Sequence, residues 1–308
     1  MHPVGTQRKT VAPQSRAAPF AALLVANVAL AFGAWFVRHA DTGPVAAGLW
    51  RIALAAPVLA GLAVASGSRP TPLGGRLWWL LGLGGVAFAA DLGCWHLGIR
   101  RTTLANATLF GNCATLIFPV YGFVAARTLP TRLQAIALGC AAVGAALLMG
   151  RSYQLDPRHL AGDLLCILAG LLYTIYFVLM ARVRQTLAPV SALALSTVAS
   201  VLPLLGFALA LGEAIVPHLW WPLVSLALVS QVLGQGCMVY ALGRLSPLVI
   251  GVALLVQPVV AAAIGWASYG ERLGLADWIG AALVAAALVM IRGQEVAPDA
   301  PARHPEPA

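Results

Sequence analysis

Charge is the scarcest property of this chain. Only 9% of its 308 residues are Asp, Glu, Lys or Arg, where a soluble domain carries about a quarter. So few charges cannot coat a water-soluble fold, which excludes a soluble domain between the tails. Catalytic signatures are missing too. The sequence holds no HExxH, no GxSxG, no Walker A stretch and no paired acid at helical spacing. That removes zinc proteases, serine hydrolases of the elbow type and ATP-driven pumping by this chain alone. Five cysteines (Cys94, Cys113, Cys140, Cys166, Cys237) form no CxxC and sit inside apolar runs. They read as small packing residues, so neither a metal site nor a cofactor is expected. The apolar runs also lack the alternating polar positions of a transmembrane barrel.

What the chain has in abundance is apolar length. Hydrophobic residues make up 60% of it, and the mean hydropathy is +0.87. Apolar runs fall near 20–37, 45–66, 77–97, 103–125, 133–150, 161–181, 190–211, 219–242, 248–269 and 275–291. Each is about the 20 residues a helix needs to cross a hydrocarbon core of about 30 Å. The expectation is an all-α integral membrane protein with ten transmembrane helices. The first run exceeds the apolar stretch of a signal peptide and reads as a retained span. The proline- and alanine-rich ends, 1–18 and 293–308, read as disordered cytoplasmic tails.

The net charge of +9 would suggest nucleic acid for a soluble protein. Here it reports orientation, and no nucleic-acid partner is expected. With the N-terminus inside, twelve Lys and Arg fall on inner segments and six on outer loops. That bias places both termini in the cytoplasm.

Leu245 to Arg292 reads as two spans around a turn, Tyr269-Gly270-Glu271-Arg272. Arg101 to Gly150 repeats the plan: an apolar run broken by Phe118-Pro119, a basic connection at 127–132, then a second run. Gly139 and Met149 match Gly280 and Met290. The first five-span unit is 19–150 and the second 161–292, joined by the polar loop 151–160. An odd number of spans per unit makes the second copy enter from the opposite side, so the halves are inverted repeats. Interrupted helices in matching places, at Pro119 and at Gln257-Pro258, mark a central site in transporters built this way.

Polar residues at membrane depth supply the candidate lining. Arg51 and Asp91 lie at similar depth, and an unpaired charge there costs at least about 2.5–3.5 kcal/mol. They pair, share a wet cavity, or reach the headgroups and a vestibule separately. Trp35, Asn112, Tyr173, Tyr176, Gln231, Gln235 and Gln257 complete the substrate-binding set. Trp35 also suits an interfacial belt. Thr108, Asn112 and Thr115 share a face, and Pro119 frees a carbonyl near Thr115. Asn27 needs a partner across a helix interface. Asp163 suits the first turn of its helix.

With its ten-span layout, "LWRIALAAPVLAG" in the second span and "VQPVVAAAIGWASYGERLGLADWIGAALVAAALVMI" near the end, the chain resembles the EamA-type branch of the drug/metabolite transporter superfamily. The likeness spans nearly all of 20–292 and is sharpest at Pro258, Gly270-Glu271-Arg272-Leu273, Trp278 and Gly280. It implies secondary export or exchange of small metabolites, commonly amino acids and derivatives, across the inner membrane. If transport is proton-coupled, Asp91 is the deepest carboxylate and the first candidate, with Glu271 the second. The first half departs from the family. Ala126 to Arg132 carries no acid where the family repeats its turn, and Phe32-Gly33 replaces its Trp-Gly. The expected partners are the bilayer and a small-molecule substrate, and a homodimer is compatible with them. An intramembrane enzyme and a passive pore are the competing classes.

Overall fold

The computed structural model describes residues 17–67, 74–102, 110–150, 157–269 and 274–292. These form helices joined by short connections, with no strand among them. The first half contains α1 (Ala17–His39), α2 (Pro44–Ala65), α3 (Gly75–Ile99), α4 (Ala114–Ala126) and α5 (Arg132–Gly150). The second contains α6 (Leu160–Val183), α7 (Pro189–Ala210), α8 (Trp221–Leu242), α9a (Pro247–Ala253), α9b (Val256–Tyr269) and α10 (Leu275–Arg292).

By length and composition, seven helical stretches among the described residues can cross a bilayer. Three shorter apolar helices, Ala114–Ala126, Arg132–Leu147 and Leu275–Ile291, accompany them. The outward surface agrees with that solvent. Leu83, Val120, Leu202 and Val289 are all exposed, as side chains facing lipid must be. Tryptophans gather at helix ends, Trp78 and Trp79 at one and Trp220 and Trp221 at the other, where an amphipathic ring meets the headgroups.

The neighbours of each helix follow a pattern. Exchange α1 for α6, α2 for α7 and onward through the halves. Then α3 on α6 becomes α8 on α1, α3 on α7 becomes α8 on α2, and α4 on α6 becomes α9b on α1. The pairs α2–α7, α4–α9a and α5–α10 map onto themselves. Directions can be read from close approaches. Gly43 lies against Glu213 and Gly48 against Leu204, so α2 and α7 run antiparallel. Gly122 lies against Pro247 and Gly251 against Pro119, so α4 and α9a do too.

Small residues set how closely these helices pack. Gly85 meets Ala199 and Gly93 meets Phe207, seating α3 on α7. Gly98 meets Cys166 and Gly170 meets Cys113. A side chain at any of these positions would hold the helices apart. Gly85, Gly93 and Gly98 of α3 and Cys166 and Gly170 of α6 therefore lie on packing surfaces.

At the outer end, as the charge bias orients the chain, the α1–α2 and α7–α8 connections are laced together. The Gly43 amide donates to the Ala214 carbonyl at 3.1 Å, and the Ala46 amide to Glu213 Oε2 at 2.8 Å. Glu213 thereby caps the first turn of α2 from another element, satisfying an amide that helix geometry leaves without a partner. Trp50 Nε1 donates to the Ile215 carbonyl at 2.7 Å. Asp41 accepts from the amides of His218 and Leu219 at 2.8 and 3.0 Å. Desolvation pushes the Asp41 carboxyl up, and those amide donors outweigh it, so it titrates below its ordinary value.

Candidate functional site

Both halves break a helix at the same place in their plan. In the second, α9a ends at Ala253 and α9b begins at Val256. Pro258 has no amide to offer the Leu254 carbonyl one turn back. That carbonyl takes the Gln257 amide instead, at 3.0 Å. In the first half, Asn112 and Cys113 separate helical residues 110–111 from α4, and the Asn112 carbonyl takes the Thr115 amide at 2.9 Å. The interruptions thus lie upstream of Pro119 and Pro258 rather than at them. Pro119 itself is within α4, packed on Gly251.

Leu254 and Asn112, one from each break, line a common cavity of about 110 Å³. Around it stand Leu30 and Gly33 of α1, Arg51 of α2, Phe88, Asp91, Leu92 and Trp95 of α3, Tyr173 of α6, Gln235 of α8 and Gln257. The wall draws on both halves. Of the expected residues, Arg51, Asp91, Asn112, Tyr173, Gln235 and Gln257 face this space.

Arg51 and Asp91 share the cavity without forming an ion pair with each other. Arg51 is 6% exposed and Asp91 9%. The Arg51 Nε donates to Gln231 Oε1 at 3.0 Å, and its guanidinium carbon stands 5.7 Å from the centre of the Phe88 ring. Gln231 in turn donates through Nε2 to Thr197 Oγ1 at 3.1 Å. Since Arg is donor-only, the amide orientation of Gln231 is determined by that first bond. The terminal nitrogens of Arg51, and the Asp91 carboxylate, take no partner among the described residues.

Three expected residues lie elsewhere. Trp35 sits among Phe36, His39 and Trp221, with ring centres 4.6–5.9 Å apart, in an aromatic cluster near the end of α1. Tyr176 is fully buried behind the wall and stacked on Phe88 at 4.6 Å. Gln231 supports Arg51 without lining the cavity. Thr115 is buried with no partner for its hydroxyl among the described residues, so the wall is at Asn112 instead. Thr108, Asn106 and Glu271 lie outside the described residues. Asp163 stands in the first turn of α6, as expected, and accepts the Thr102 hydroxyl at 2.5 Å.

Phe88, Trp95, Leu30 and Gly33 join the wall unannounced by polarity. A phenylalanine in an apolar run carries no mark of the side it faces. The winding of α8 was equally hidden. Its residues Leu226–Gln235 form π-helix, a wide winding that is frequent at functional sites. Ser230, Gln231, Gly234 and Gln235 all fall within it. Gly234 and Gly236 were the only trace of an unusual backbone there.

These features define a polytopic helical membrane protein with a small polar cavity between two structurally matched halves. The model of the EamA-like transporter family matches residues 18–150 and again 160–293, so the chain belongs to the EamA-like transporter family and carries two copies of its unit. A comparison with curated proteins gives no match. One solved structure, described as "Crystal structure of protein", is similar with a TM-score of 0.72 at 16% identity, over 90% of this chain and 97% of that one. At that identity the likeness concerns the fold alone.

Proposed function

We propose that this protein is a secondary transporter that exports or exchanges small polar or amphipathic metabolites, such as amino acids or their relatives, by alternating access. The single observation carrying this is a buried arginine and a buried carboxylate that form no ion pair among the described residues, in one cavity at the point where counterpart helices of the two halves are interrupted. A charge held there without a partner is expensive, and a solute that supplies the missing partners offsets the cost. Family membership makes an intramembrane enzyme a poor fit.

All ten apolar helices cross the bilayer in this reading, as two inverted five-helix repeats, 19–150 and 161–292, with both termini in the cytoplasm and the protein in the inner membrane. The antiparallel packing of α2 on α7 and of α4 on α9a supports the inversion. Asp91 is the coupling carboxylate if protons drive transport. A homodimer is compatible with the exposed helix faces.

The test begins with a thermal-shift screen of purified protein against a metabolite library, since a ligand that binds the folded state raises its melting temperature. Hits are carried into counterflow with reconstituted vesicles. Accumulation of labelled solute against unlabelled solute is expected. Binding hits that never exchange across the membrane would refute the transport reading.

A further inference from the structure

Asn27 lies on α1, fully buried and outside the cavity wall. Its Nδ2 donates to the Leu23 carbonyl at 2.8 Å. A carbonyl only accepts, so this bond decides which end of the Asn27 amide points where. Its Oδ1 is turned toward α9b, where it accepts from Gln257 Nε2 at 3.0 Å. The Gln257 amide is thereby oriented in its turn, and Oε1 is left as its other end. A residue that never touches the cavity sets the polarity of one that lines it.

We propose that Asn27 is a positioning residue that makes Gln257 a hydrogen-bond acceptor toward the bound solute. This rests on the reading of the cavity as the transport site. The remaining groups give that orientation its consequence. Gln235 is 1% exposed; its Oε1 accepts the Tyr173 hydroxyl at 3.5 Å, and its Nε2 has no partner among the described residues. The terminal nitrogens of Arg51 are also donors without an acceptor among the described residues. Among the described residues, the cavity thus offers Arg51 and Gln235 as donors and Asp91 and Gln257 as acceptors. A solute satisfies all four only if it brings an anionic or carbonyl group for the first pair and a cationic or N–H group for the second. Without Asn27 the Gln257 amide can rotate and offer a third donor, and discrimination in favour of amine-bearing solutes falls.

Three probes with one hydrocarbon skeleton separate these contributions: leucine, 4-methylpentanoate, which lacks the amine, and 3-methylbutylamine, which lacks the carboxylate. Apparent Kd is read by ligand-induced shift of melting temperature on purified full-length protein. Asn27→Leu is expected to weaken leucine and 3-methylbutylamine about tenfold, the usual scale for one lost hydrogen bond to a charged group, and to leave 4-methylpentanoate within about twofold. Asn27→Asp still offers an oxygen to Gln257 Nε2 and should preserve the wild-type order of the three probes. Equal weakening of all three by Asn27→Leu, or loss of the order in Asn27→Asp, makes Asn27 structural and overturns the proposal. So does a wild-type protein that binds none of them. Counterflow with hits from the metabolite screen tests the transport reading separately, so that reading can survive such a failure.

Discussion

An arginine at membrane depth is tolerated only when its donors are used. Arg51 spends one on Gln231, its guanidinium carbon stands 5.7 Å from the Phe88 ring centre, and its terminal nitrogens take no partner among the described residues. Arg51→Lys keeps the charge but cannot hold Gln231 and reach a ligand with a planar fork. Ligand-induced thermal stabilisation should shrink strongly in this variant, and the melting temperature of the ligand-free protein should fall by only a few degrees. Undiminished ligand stabilisation in Arg51→Lys would remove Arg51 from the binding site. For Asp91→Asn, the expected result is an intact fold and loss of uptake driven by a proton gradient. Proton-driven uptake at the wild-type rate would exclude Asp91 as the carrier. Arg51 and Asp91 were legible as a pair of intramembrane charges at matching depth, because charge in an apolar run stands out. Whether they touch was not, because that depends on where Gln231 and Phe88 bring the guanidinium.

At the scale of elements, the crossing of α4 over α9a is where the halves meet closest to both breaks. A Cβ on Gly251 would overlap the Pro119 ring, and overpacking of this kind costs about 1–3 kcal/mol. Gly251→Ala is therefore expected to lower the melting temperature clearly, read by thermal unfolding in detergent. Gly139→Ala is the control, since nothing lies within 4 Å of a Cβ there and its stability should match wild type. That contrast also qualifies the repeat. Gly139 and Gly280 occupy matching places in the sequence, yet Gly280 is buried against Gly144 and Gly139 is open to lipid. A stronger echo was missed. Each of α2 and α7 begins with a proline and carries an internal one, Pro57 and Pro203. Prolines separated so widely do not announce a repeat until the helices that hold them are seen to pack on each other.

For the whole molecule, alternating access requires the two ends to open in turn. The laced connections at the outer end are then a place where motion can be stopped. A Cβ on Gly43 would lie 2.6 Å from the Glu213 Cβ, close enough that cysteines at both positions need only a small shift to reach disulfide geometry. Oxidation of a Gly43→Cys/Glu213→Cys protein is expected to stop counterflow and spare ligand binding, with transport restored by reductant. Flux unaffected by the oxidised bridge would favour a pore, which does not need the ends to alternate.

The sequence alone determined the solvent. Sixty per cent hydrophobic residues in helix-length runs admit only a bundle of helices in lipid, and runs without alternation leave no other regular structure able to satisfy its backbone. It also determined that the chain is duplicated, whereas the breaks fall upstream of Pro119 and Pro258, which themselves sit inside helices. Only the tertiary structure decided which polar residues meet. Tyr173 and Tyr176 are neighbours on one helix, and Gln231 and Gln235 on another, yet one of each pair faces the cavity and the other stands behind it. That choice follows from helix rotation and from the π winding of α8, which side chains on other helices fix. Asn27 shows the same limit. Its need for a partner was readable, but that the partner would be Gln257, and that their bond would set the polarity of the cavity, depended on α1 and α9b lying side by side.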